Sequence, residues 1–138
     1  MNSTTILKGT ILYTPRPSEF VAIQQGYVIA VDGVVVHCGE SIPPAYGEHP
    51  ITDYGDHLII PGFVDTHAHA PQYCNRGLGM DKELLPWLET YTFPEEAKFS
   101  DQEYARLVYG AFVHDLWRNG TTRSILFGTI HKDSTLVL

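Results

Sequence analysis

The break at Pro61-Gly62 constrains this sequence more than any other feature, because the texture changes there from one period to another. Before it, apolar and β-branched runs are short and separated by turn residues. After it come a strand candidate, a loop, one long amphipathic stretch and a second strand candidate. Strand, helix, strand within one unit predicts a parallel pair joined by a crossover helix. The expected organisation is therefore residues 1–60 as a β region and residues 61–138 as a βαβ portion. With 138 residues the length allows about one domain.

In the first region, Thr4 to Tyr13 is rich in β-branched and apolar residues, and Thr14-Pro15-Arg16-Pro17-Ser18 is expected to end it, since proline cannot donate to a ladder. Gly26 to Val31 and Val34 to Cys38 flank Asp32-Gly33, a dipeptide suited to the left-handed positions of a tight hairpin. Ser41 to Gly47 reads as a loop. Ile51 to Tyr54 and His57 to Ile60 read as two more short strands. These strands are too few to close on themselves and predict one sheet of a small β domain.

In the second region, Phe63 to His67 is a short strand candidate, and Lys82 to Tyr91 a short helix limited by Pro86. Ser100 to Arg118 is the clearest helix. Ser100-Asp101-Gln102-Glu103 has capping-box spacing with Ser100 as cap. Tyr104, Leu107, Val108, Ala111, Phe112 and Leu116 are predicted to share its apolar face. Asn119-Gly120 supplies the stop, and Thr121 to His131 is the second strand candidate.

The chemistry concentrates in Pro61-Gly62-Phe63-Val64-Asp65-Thr66-His67-Ala68-His69-Ala70-Pro71-Gln72. Residues two apart on a strand project to one side, so His67 and His69 are expected to converge. Neutral imidazole suits zinc and other borderline divalent ions. By itself a His-X-His pair also arises by chance among seven histidines. Trp87, Tyr91 and Phe93 read either as the wall of a pocket or as core. His131 reads either as facing a site or as a structural hydrogen-bonding residue. His37, His49, His57 and His114 show no ligand spacing, and Cys74 receives no role.

The run Pro-Gly-Phe-Val-Asp-Thr-His-Ala-His resembles the first barrel strand of the amidohydrolase superfamily, metal-dependent hydrolases built on a (β/α)8 barrel flanked by a small β-sandwich. The longer pattern is similar to the guanine deaminases of that superfamily. It runs through His69-Ala70-Pro71-Gln72-Tyr73, Gly77-Leu78-Gly79, Asp81 and Leu84-Leu85-Pro86-Trp87-Leu88-Glu89-Thr90-Tyr91-Thr92-Phe93-Pro94-Glu95. Asn119-Gly120-Thr121-Thr122 and Thr129-Ile130-His131 continue it. The resemblance implies an α/β fold: the N-terminal part of a small β-sandwich (residues 1–60) followed by the first strands and helices of a (β/α)8 barrel, incomplete (residues 61–138). It implies that His67 and His69 are two ligands of one zinc ion and that Gln72 contacts the purine. An amide offers that edge both a donor and an acceptor. Asp65 is expected to orient the strand end. The implied reaction is hydrolytic deamination of guanine to xanthine and ammonia.

A barrel needs roughly 250 residues, and the region after Pro61 holds two strands and one full helix. The family's further ligands and its proton-shuttling glutamate have no counterpart here, so no catalytic residue is assigned. The chain is expected to be a fragment of a guanine deaminase. The rivals are a superfamily hydrolase for an s-triazine or adenosine-like substrate and a non-catalytic truncated product. The implied partner is a small molecule, guanine, and the implied assembly a homodimer. A formal net charge of -7 argues against a nucleic-acid partner. Two cysteines without a secretory signature, and no apolar run of membrane length, point to a cytoplasmic protein.

Overall fold

Thr4–Arg16 forms β1, Glu19–Val31 β2, Val34–Gly39 β3 and Ile51–Ile59 β4 in the computed structural model, which describes residues 3–138. They make one four-stranded sheet in the order β3-β2-β1-β4. β1–β2 and β2–β3 are antiparallel, whereas β4 joins β1 in parallel. Ile6 and Ile29 face each other in register and are almost fully buried, which sets the inner face of the sheet. The expected hairpin turn is present: Asp32 and Gly33 both take positive φ, 50° and 79°.

Strand boundaries in this sheet differ from the sequence reading, and β2 begins at Glu19 and not at Gly26. β1 does not stop at Tyr13; it runs through Pro15 to Arg16, and the turn falls on Pro17-Ser18. The ladder shifts register between Tyr13 and Arg16, and an irregularity of this kind is where a strand tolerates proline. The two runs around Gly55 are one strand. Lys8 opposes Asp53 and Thr10 opposes Leu58, so Tyr54 to His57 bulge out of the ladder. Gly55 makes the bulge possible at φ 60°, with Asp53 accepting its N–H at 2.8 Å.

A second compact unit begins at Gly62. Phe63–His69 (β5) and Thr121–Phe127 (β6) pair in parallel, as the strand–helix–strand order predicts. Between them lie Leu84–Trp87 (α1), Phe93–Ala97 (α2) and the crossover helix Gln102–Arg118 (α3); Lys132–Thr135 (α4) follows β6. The predicted short helix extends well past Tyr91. A π turn, Leu88–Thr92, links α1 to α2. It ends two residues before Pro94, which has no N–H to continue a regular ladder. Pro86 sits in the first turn of α1, where N–H groups lack helical partners anyway.

The long helix is capped by Asp101, not Ser100. The Asp101 carboxylate accepts from Glu103 N at 2.8 Å and Tyr104 N at 3.4 Å. The buried face also differs from the predicted stripe, because the core built with Ala70 and Phe99 takes in Ala105 and Tyr109. Ala105, Val108, Tyr109 and Phe112 are buried, while Leu107, predicted to be inside, is 72% exposed. The helix ends at Asn119-Gly120 as expected, with Gly120 at φ 80°. β6 ends at Phe127, short of His131. Gly128 follows, packed so closely on α4 that a Cβ there would lie 2.5 Å from Thr135 Cγ2. The core of this unit is Ala70, Phe99, Ala105, Val108, Tyr109 and Phe112. Among the described residues, no helix is long and apolar enough to cross a membrane.

Candidate active site

β5 carries both histidines to its C-terminal end, where a strand end opens into a loop. His67 is exposed and His69 half-buried. Their ring centroids lie 5.0 Å apart with planes at 76°. The convergence expected from the spacing is present, but β5 is not regular there. Asp65 opposes Ser124 and Ala68 opposes Leu126, so one extra residue is accommodated at Thr66-His67. A bulge re-aims the side chain it carries. The Asp65 carboxylate accepts from His67 N at 3.0 Å and holds this irregular turn of backbone.

Phe127 was not singled out from the sequence, yet it organises the pair. It ends β6 in register with His69, and the two rings stack at 4.7 Å with planes 10° apart. His67 meets the same ring edge-on at 5.1 Å. Its place depends on the parallel register of β6 against β5 and on β6 ending at Phe127, and a strand read through to His131 gave no signal of either.

Gln72 sits in the 3-10 turn Ala70–Asn75 that follows β5. Its amide nitrogen contacts His69 Nδ1 at 3.3 Å and donates to Glu96 Oε1 at 3.0 Å. Its carbonyl oxygen makes no hydrogen bond among the described residues. His67, His69, Gln72, Trp87, Tyr73 and Asp115 line one cavity of about 620 Å³. Trp87 donates from Nε1 to Leu78 O at 2.8 Å. Trp87 and Tyr91 pack over Gly79, where a Cβ would lie 2.3 Å from the Tyr91 ring. Phe93 is 57% exposed and walls nothing.

The acidic groups nearby are already partnered. The Tyr73 hydroxyl donates to Asp115, and with Arg76 at 3.7 Å this holds the Asp115 carboxyl below the usual carboxylate range against the opposing effect of burial. Burial pushes Glu95 upward, but Lys98 Nζ at 2.6 Å and the Tyr104 hydroxyl outweigh it, and the net shift is downward. Among the described residues, no three His, Cys, Asp or Glu side chains gather closely enough to hold an ion. The donor set at the cleft is two imidazoles. His131 lies apart in the chain at the start of α4, its Nε2 buried with no hydrogen-bond partner among the described residues. His37 and His57 are satisfied by the carbonyls of Ser41 and Tyr54 at 2.8 and 2.7 Å. Cys74 is exposed.

A family model described as the Amidohydrolase family matches residues 58–136. The guanine deaminase of Dictyostelium discoideum is 50% identical over 91 residues, which is 66% of this chain and 20% of that protein. A probable guanine deaminase of Schizosaccharomyces pombe is 36% identical over 144 residues, covering 96% of this chain and 27% of that one. Among solved structures, the guanine deaminase from C. acetobutylicum with guanine in its active site matches with a TM-score of 0.89 and 48% identity. That match covers 97% of this chain and 32% of the other. The chain thus spans less than a third of the length of the relatives it matches.

Proposed function

The chain belongs to the amidohydrolase family, and from that premise we propose that it is the N-terminal part of a guanine deaminase, which hydrolyses guanine to xanthine and ammonia. The observation that carries this reading is the cleft at the end of β5, where His67, His69 and Gln72 line one cavity. A backbone so close to that of a guanine-bound deaminase supports it. In this reading the first sheet is part of a β-sandwich, and β5, α3 and β6 open a (β/α)8 barrel. The proposed substrate is a small neutral purine.

His67 and His69 are the proposed ligands of one divalent ion, zinc by the chemistry of the family. The fit is by donor type: two imidazole rings 5.0 Å apart stand against the Phe127 ring, and imidazole suits a borderline ion. Two imidazoles fall short of the roughly three protein ligands of a catalytic zinc, so the remaining ligands belong to other parts of the complete enzyme. When bound, the ion supplies the Lewis acidity that makes water a nucleophile near neutral pH. The residues of this chain then orient and bind. Asp65 fixes the backbone at His67, Phe127 restricts the plane of His69, and Gln72 presents its free carbonyl oxygen to an N–H of the purine. No residue here is assigned the proton transfer, and the chain by itself is inactive in this reading.

The test is a substrate comparison with the complete, zinc-loaded enzyme, following xanthine and ammonia. Guanine is expected to be turned over at least about a hundredfold faster than adenosine or an aminotriazine, as a site built on purine hydrogen bonds discriminates. Preference for either alternative would replace guanine as the substrate.

A further inference from the structure

Glu96 stands on α2, 24 positions from Gln72, and its carboxylate accepts the amide N–H of Gln72 at 3.0 Å. Both side chains are partly buried. An ionised carboxylate has lone pairs and no proton to give. The bond therefore forms in only one of the two orientations open to the amide, the one that turns its nitrogen toward α2. The two orientations have nearly the same shape, so packing alone discriminates poorly between them; an acceptor-only partner does so by charge.

We propose that Glu96 is a positioning residue that decides which end of the Gln72 amide faces the substrate. Glu96 holds the donor end of the amide, whose nitrogen also lies 3.3 Å from His69 Nδ1. The carbonyl end is left as an acceptor for N–H groups, and the edge it selects is one that donates. Glu96 acts through Gln72 and does not itself touch the purine. Its neighbour Glu95 is held separately by Lys98 and Tyr104, so the two acids on α2 have different tasks. The proposal rests on the reading that Gln72 contacts the purine.

A double-mutant cycle in the complete zinc-loaded enzyme tests it, with KM, kcat, zinc content and Tm measured for the parent, Gln72→Ala, Glu96→Ala and the double variant. Gln72→Ala is expected to lower kcat/KM by about one to two orders of magnitude with zinc retained. Glu96→Ala is expected to raise KM by about tenfold while kcat changes less than about twofold, the loss of one pre-ordered side chain. The double variant should match Gln72→Ala alone, because the effect of Glu96 passes through the amide. Glu96→Gln, able to donate as well as accept, should fall between parent and Glu96→Ala. Additive losses in the double variant overturn the proposal, as does a Glu96→Ala enzyme with a lower Tm and an unchanged KM. If Gln72→Ala matters and Glu96→Ala does not, only this proposal fails. If Gln72→Ala has no effect, the purine-contact reading fails first and takes this one with it.

Discussion

At the scale of single residues, the distance between the two imidazoles matters less than what holds them there. His69 is stacked on Phe127 and touched by Gln72, whereas His67 is exposed and fixed through its backbone by Asp65. Both are nonetheless proposed ligands at a site with few to spare. In the complete enzyme, His67→Ala and His69→Ala should each lose stoichiometric zinc, or cut the rate by orders of magnitude with zinc retained. Zinc content by elemental analysis and the guanine rate check this together, and near-normal values in both variants would remove the pair from the site. The histidines were legible because a period-2 spacing needs only local geometry. Phe127 and Glu96 were not, because their roles exist only once β6 and α2 are brought beside residues far off in the chain.

At the scale of elements, the parallel strand pair and its crossover helix were foreseeable from period and stop signals, and the details that failed were those where one residue shifts a register. Asp101 caps the long helix where Ser100 was expected, and separately the core with Ala70 and Phe99 takes Ala105 and Tyr109 where periodicity had placed Leu107. The prolines misled in β1, where a register shift accommodates Pro15. The entry to β5 is as tightly specified. A Cβ on Gly62 would lie 2.1 Å from Thr122 Oγ1 and 2.7 Å from Thr122 Cβ on the neighbouring strand. Gly62→Ala in the complete enzyme should therefore destabilise by about 1–3 kcal/mol, seen as a lower denaturant midpoint. Adding Thr122→Ala should recover part of the loss. A Gly62→Ala midpoint equal to the parent's would mean that the two strands separate there at no cost.

At the scale of the whole molecule, the strands of the second unit leave apolar side chains open on successive positions, which point to opposite faces. Phe63 and Val64 are each 57% exposed, and Ile125 is 61% exposed. Parallel sheets are ordinarily covered on both faces, so the 138 residues alone should melt without a sharp cooperative transition, or aggregate, and should not deaminate guanine even with added zinc. A cooperative monomeric transition, or turnover above a metal-free blank, would contradict this. The parallel attachment of β4 to β1 carries a consequence of another kind. Lys8 must meet Asp53, 45 positions later, while β2 and β3 return through tight turns. Closing the longer loop costs more entropy before any bond rewards it. During synthesis, then, the β1–β2–β3 meander should order as it emerges and β4 should dock last. Pulse-labelled hydrogen exchange on refolding should protect the amides of β2 before those of β4, and the reverse order would mean that the parallel edge nucleates the sheet.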